Sequence, residues 1–395
     1  MMNIFGNIFS KSKKKEELVL VFDIGSHSVG GAYLQMGENQ IPKIIFSVRE
    51  PISLEKDITT SRFLDLTLRS LDVVATKLHK HIVGVPTRVF CVLSCPWYAS
   101  QVRHIKIEKN TPFIFTSKLA DSLITKEIGL FEEEYLKKYA DIGNTVRSIE
   151  LKNMKTLLNG YATPFPFDQK AKNLEMVIFI SMSGEDVLFK IEEVISHYFH
   201  FDKIKFSSFA MASFTVARDI SINQPDFLLV DIGGEMTDIS MIKKDILQES
   251  ISFPLGSNFM VRGISSAFDF SFDEARAYFS LYKDGHLVEN ILKKFEPVIE
   301  NLKKEWLSKF QESLVNISND ISIPSTIFLT IDADFSDFFC SIIKTEQFNQ
   351  YTLTDSKFNI CFLNNQALHG NIVEKSQKRD PFITIESIYI NRFLR

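Results

Sequence analysis

The chain has 395 residues, 45% of them hydrophobic and 24% charged, which exceeds what one core usually serves and excludes a small module, a disordered tract and a collagenous repeat. Its 45 Lys and Arg against 49 Asp and Glu leave a net charge of −4, so no global field draws it onto nucleic acid and any anionic partner has to be recognised locally. Four scattered cysteines, Cys91, Cys95, Cys340 and Cys361, make neither a disulfide scaffold nor a four-ligand zinc site; Cys91 and Cys95, in an apolar stretch, read as buried inert thiols in a reducing compartment.

The start, MMNIFGNIFSKSKKK, has its lysines after the apolar residues, the reverse of a secretory signal. Residues 1–16 read as a flexible basic tail with at most peripheral membrane contact. No apolar run approaches the roughly eighteen residues of a membrane span, so the expected location is cytoplasmic. Next comes LVLVFDIGSHSVGGAYL: an apolar run Leu18–Phe22, a polar tip from Asp23 to Ser28, and a second apolar run after Gly30 and Gly31, together a hairpin. Ser61–Ile82 carries apolar residues at helical spacing, and Thr87–Ser94 and Glu175–Ser181 read as buried strands. A helix is expected over Glu185–Phe199. The segment FLLVDIGGEMTDISMI then repeats the first hairpin, with Phe227–Val230, a tip from Asp231 to Asp238, and Ile239–Ile242. Helices follow at Asn258–Phe268, Phe272–Leu281 and Pro297–Ile317, with Pro297 suited to a first turn. Thr326–Thr330 reads as a strand, Asp334–Lys344 as the helix it feeds, and Phe382–Leu394 as an apolar segment that packs.

Glycine is scarce, 16 in all, yet five fall in the two hairpins. The order apolar strand, Asp-Ile-Gly, small polar residues, apolar strand recurs about 208 positions on, a repeat of domain length. A triphosphate clamp needs backbone N–H groups aimed at oxygens, glycines that permit close approach, and carboxylates that hold hydrated magnesium. Both tips supply that set: Asp23, Gly25, Ser26, His27 and Ser28 in the first; Asp231, Gly233, Gly234 and Thr237 in the second. Asp23 and Asp231 are the candidate magnesium ligands, through water. A P-loop is excluded, since no G-x-x-x-x-G-K-[ST] occurs. No histidine has metal spacing, and no nucleophile triad can be drawn.

On these residues the chain resembles the actin-like ATPase superfamily, of the FtsA/PilM type. Asp23–Ser28 is similar to its first phosphate loop, Asp231–Asp238 to its second, and Pro254-Leu255-Gly256-Ser257-Asn258 to the segment just after, which adds Gly256 to the nucleotide site. The resemblance implies an α/β fold of duplicated actin-like (ribonuclease H-like) domains with an inserted strand-helix-strand-strand subdomain. Its expected divisions are 17–87 with 184–222 for domain 1, 88–183 for the insertion, and 223–395 for domain 2, with a small helical subdomain at about 266–320. It also implies ATP and magnesium as cofactors and at most slow ATPase activity. The implied partner is a cytoplasmic peptide of an inner-membrane pilus or division protein, and self-association is a further expectation. The chain departs from the pattern at Leu329-Thr330-Ile331-Asp332-Ala333-Asp334, where a glycine-rich adenosine loop is usual; Ile331 would crowd a nucleotide and Asp332 would repel it. Met236 replaces a hydroxyl residue, and Phe206–Ala210 holds serines where an acid is usual. An ATP-binding scaffold, an active ATPase or kinase, and a nucleotide-free interaction module therefore all stay open.

Overall fold

In a computed structural model of the chain, the described residues are 16–37, 41–81, 83–138, 145–163, 165–318, 322–345, 357–374 and 380–394. The expected basic tail lies outside them but for Glu16. The apolar run before the first Asp-Ile-Gly becomes strand β1 (Glu17–Ile24), with six of its eight residues buried because helices cover both faces of its sheet. β1 pairs antiparallel with β2 (Ser28–Met36), which pairs with β3 (Lys43–Pro51). On its other side β1 runs parallel to β4 (Arg88–Leu93) and β4 to β9 (Ile204–Ser208). A two-residue strand, β15 (Val373–Glu374), completes six strands in the order β15-β3-β2-β1-β4-β9.

The second hairpin founds a sheet of the same design. Strands β10 (Phe227–Ile232), β11 (Thr237–Lys243), β12 (Ile246–Phe253), β13 (Thr326–Ile331) and β14 (Asn359–Phe362) lie in the order β12-β11-β10-β13-β14, repeating β3-β2-β1-β4-β9 strand for strand. The duplication expected from two hairpins thus extends to whole sheets.

The insertion is a separate antiparallel sheet, β5-β8-β6-β7, built from β5 (Ala99–Phe115), β6 (Val146–Leu158), β7 (Tyr161–Ala162) and β8 (Gln169–Gly184), with α2 (Ser117–Lys138) against it. This is strand-helix-strand-strand with one short extra strand. It starts at Ala99 rather than at 88, because Arg88–Leu93 is a strand of the body.

Five layers result. Helices α1 (Thr60–Lys80) and α3 (Glu185–Tyr198) cover the outer face of the first sheet, and α1 starts where the Thr59 side chain accepts from Arg62 N–H. Between the sheets lie α4 (Phe209–Ile220) and α9 (Pro381–Phe393). Behind the second sheet come α5 (Ser257–Phe268), α6 (Phe272–Lys283), α7 (Glu289–Ser318) and α8 (Ala333–Thr345). Two boundaries move. α7 starts at Glu289, so Pro297 is inside the helix; the buried ring of Phe295, stacked on Phe268 5.3 Å away, holds the turns ahead of it. The end of the chain returns to the first body, where α9 packs on α4, β1 and β2 and buries Ile383, Ile385 and Ile390 completely.

Candidate functional site

Register places the first carboxylate. Asp23 on β1 lies opposite Gly30 on β2, and Gly30 opposite Arg49 on β3, so one row across three strands holds an acid, a gap and a base. The gap matters, since a Cβ on Gly30 would stand 2.7 Å from Arg49 Nη2. Through it Arg49 donates from Nη2 to Asp23 Oδ2 at 2.6 Å and from Nη1 to Ser28 Oγ at 2.9 Å. Arg49 Nε donates to Asp380 Oδ2 at 2.6 Å, and the guanidinium carbon lies 5.2 Å from the centre of the Phe382 ring. Asp380 also caps α9, accepting from Phe382 and Ile383 N–H. One and a half turns on, Glu386 is fully buried, and burial and the Asp23 charge push its carboxyl well above the ordinary range. Burial raises Asp23 as well, and its Oδ1 and both Glu386 oxygens are buried without a hydrogen-bond partner among the described residues.

The equivalent row of the second sheet is different. Asp231 faces Asp238, which faces Ser252, and on the other side Asp231 neighbours Thr330, whose hydroxyl donates to it at 2.7 Å. Burial, then the Asp238 charge, pushes Asp231 up to about 8, and burial raises Asp238 as well. Beside them the buried Cys95 thiol is pushed up by burial and by Asp238, which makes it inert, and Cys91 is raised by burial and by Glu386. Both match the reading from sequence.

The hairpin tips meet. Ser26 Oγ accepts from Gly234 N–H at 2.9 Å and from Glu235 N–H at 3.2 Å. This contact needs bare backbone, since a Cβ on Gly233 would lie 2.6 Å from Ser26 Oγ and one on Gly234 2.5 Å from Ser26 O. Gly25 N–H is used within its own turn by Ser28 O at 3.2 Å, and Gly233 N–H by Met236 O at 2.9 Å. Gly256 lies behind the second tip, where a Cβ would stand 2.4 Å from the oxygens of both Gly233 and Gly234. Thr237 is fully buried and donates to Leu255 O at 2.7 Å, while Trp306 Nε1 donates to its hydroxyl at 3.3 Å. His27 points to the altered adenosine segment, with Nε2 3.6 Å from Asp332 Oδ2, and burial lowers its pKa so that the ring is neutral at pH 7. Glu235 turns away into a two-pronged pair with Arg262, at 2.6 and 2.8 Å.

Seven of the ten residues expected to hold nucleotide, Asp23, Gly25, Ser26, His27, Ser28, Asp231 and Gly233, line one cavity, with Gly234, Thr237 and Gly256 in the wall behind it. The cavity measures about 30 Å³, room for a water or two and not for a phosphate chain. Four N–H donors of the two tips, those of Gly25, Gly233, Gly234 and Glu235, bond protein oxygens, Asp23 faces a guanidinium, and the other carboxyls of the lining are Asp231, Asp238 and Asp332. In and beside the altered segment, Ile331 is buried and Phe335 stacks on Phe279 at 5.4 Å. In this arrangement the residues do not fit a magnesium nucleotide. Among the described residues no three His, Cys, Asp or Glu side chains converge on a metal position.

Sequence reasoning missed Arg49, Asp380 and Glu386. Two signals existed: Asp380 directly before Pro381 is a helix start, and Glu386 is a lone acid inside an apolar helical run. Arg49 carried none, because only strand register joins it to Asp23.

No family model matches this sequence, and no curated protein does. Among solved structures, the fold is similar to the PilM-PilN type IV pilus biogenesis complex, at 12% identity over 97% of this chain and 98% of that chain, TM-score 0.58. Looser likenesses include a Bacteroides thetaiotaomicron protein with actin-like ATPase fold (11% identity, 97% and 98% covered, TM-score 0.37) and the ethanolamine utilization protein EutJ from Carboxydothermus hydrogenoformans (10%, 97% and 92%, 0.41). The fold is therefore actin-like, two sheets of one design arranged as in the PilM-PilN structure over 97% of this chain.

Proposed function

We propose that this actin-like chain is a scaffold that docks an extended segment of a membrane-machine protein. One observation carries the reading: two unpaired strand edges line one groove. β5 is an edge of the inserted sheet and β12 an edge of the second, among the described residues, and Ala99–Gln101 of the former and Ser250–Ser252 of the latter flank a cleft of about 780 Å³. Free N–H and C=O groups on such edges take up an added strand, and pockets beside them select its side chains. Phe63, Tyr98, Phe131 and Ile251 supply apolar floor.

The likeness to a PilM-PilN complex supports a partner of this type, a cytoplasmic peptide of an inner-membrane pilus or division protein, and with it a location at the inner face of the membrane. No helix among the described residues is long and apolar enough to cross a membrane. The role calls on no nucleotide turnover. Labelled synthetic peptides covering the cytoplasmic tails of membrane proteins encoded beside this gene test it by fluorescence anisotropy. Ser100→Trp and Ser250→Trp, which fill the groove from opposite edges, are expected to weaken a binding tail at least tenfold with the circular dichroism unchanged. Binding that ignores both substitutions places the partner elsewhere and sinks the proposal.

A further inference from the structure

We propose that the chain carries its own stand-ins for a magnesium phosphate: Ser26 Oγ takes the role of a phosphate oxygen and closes the cleft, and Arg49 takes the role of the cation at Asp23. The inference does not depend on what docks in the groove.

A phosphate oxygen in a clamp of two hairpins would accept hydrogen bonds from backbone N–H groups of a glycine turn. Ser26 Oγ does so, taking two successive N–H groups of the other domain, Gly234 and Glu235. The serine is 2% exposed, so water does not compete for those donors. A cation in such a clamp would join carboxylates that otherwise repel. Arg49 does that on the first body's side of the clamp, joining Asp23 of the first tip to Asp380 at the start of α9 through the space Gly30 leaves, while the contact across to the second tip is made by Ser26. Guanidinium suits the task because its planar fork serves two carboxylates and a hydroxyl at once and stays charged at any physiological pH.

The substitution is also consistent in charge. A magnesium nucleotide brings net negative charge, and here it would enter a lining with four carboxyls and one guanidinium that Asp23 and Asp380 already engage. The Ser26 hydroxyl closes the contact between the tips without that addition, and Arg49 supplies the charge that faces Asp23. Closure is therefore a property of the ligand-free chain.

Hydrogen exchange read by mass spectrometry on the unmodified full chain decides the matter. Peptides covering 232–237 are expected to exchange at least tenfold slower than an unstructured reference without any ligand, and to stay unchanged when millimolar Mg-ATP is added. Ser26→Ala is expected to speed their exchange at least tenfold while peptides of β10 keep their protection. Fast exchange in the ligand-free wild type that slows on adding Mg-ATP would show the tips to be an open nucleotide clamp and overturn the proposal. So would a saturable Mg-ATP heat in calorimetry. Both wild-type measurements stand even if the serine variant does not fold.

Discussion

Replacing Arg49 by methionine keeps most of the side-chain volume and removes the charge. Asp23 is 1% exposed, so its carboxylate has no route to bulk water once the 2.6 Å contact is gone. Breaking a buried pair from one side typically costs 3–5 kcal/mol, because the partner is left as an uncompensated charge. Two features place this case near the lower figure. A quarter of the Arg49 side chain is exposed, and Asp380 keeps the two α9 N–H groups it caps. The expected loss is about 3 kcal/mol at pH 7. Urea unfolding followed by the fluorescence of Trp97 and Trp306, the two tryptophans, measures it, with one reporter beside the first tip and one in the second core. A cycle with Asp23→Asn separates charge from packing, since an asparagine needs no counterion: the double variant is expected to lose at least about 1.5 kcal/mol less than the sum of the singles. If Arg49→Met stays within about 1 kcal/mol of the wild type, or the two costs simply add, Arg49 is not the counterion of Asp23 and the reasoning fails.

The buried acids give an unusual pH profile. Glu386, Asp231, Asp238 and Glu150 all have raised pKa values, so between the ordinary carboxyl range and their folded values the native state binds more protons than the unfolded chain. Stability from these groups is present in full at about pH 4 and declines as pH rises toward 8, by about 1.4 kcal/mol per unit for each proton held. Glu386→Gln, which keeps a donor toward Asp23 and cannot titrate, should flatten that decline in melting curves taken from pH 5 to 8; an unchanged slope would show that Glu386 does not hold the proton. Gly256→Ala places a methyl against two backbone oxygens at 2.4 Å that cannot swing aside, so a loss of about 1–3 kcal/mol is expected in the same urea assay. A neutral substitution there would mean that α5 is not tight under the tip. Tyr389→Phe deprives buried Glu150 of its phenolic donor, leaving the Ser208 hydroxyl and N–H; about 1–2 kcal/mol should be lost, with faster proteolysis of the insertion, and resistance equal to the wild type would argue against the contact.

Periodicity made much of the fold legible. The face of α1 and the unbroken apolar runs of β1 and β10 were visible because burial on a helix stripe or on both faces of a strand leaves a strong pattern. The long strands β5 and β6 were not, because their residues alternate weakly between half-buried and exposed on a thin sheet. Pro297 misplaced the start of α7, since a proline suits a first turn and nothing local says that Phe295 is held by Phe268. In the site, Asp23 and Asp231 were legible through repetition. Their partners were not, because Arg49 and Thr330 join them through cross-strand register, and Asp380 meets Arg49 from 331 positions away in the chain.

Comparing the two rows explains how duplicated sheets come to do different work. In the first, Asp23, Gly30 and Arg49 form a charge pair across a gap; in the second, Asp231, Asp238 and Ser252 set one acid against another. The first row is stiff and joins β1, β3 and α9; the second holds protons and carries no cation of its own. The docking groove lies between an edge of the insertion, which the first body carries, and β12 of the second sheet, so its width is set by how the two bodies close. Closure here rests on Ser26 bridging the two tips. The groove and the clasp should therefore be coupled: in Ser26→Ala a docked tail is expected to lose affinity severalfold although no groove residue has changed. Equal affinity for both chains would mean that the edges keep their spacing without the clasp, and that the insertion alone presents the docking surface.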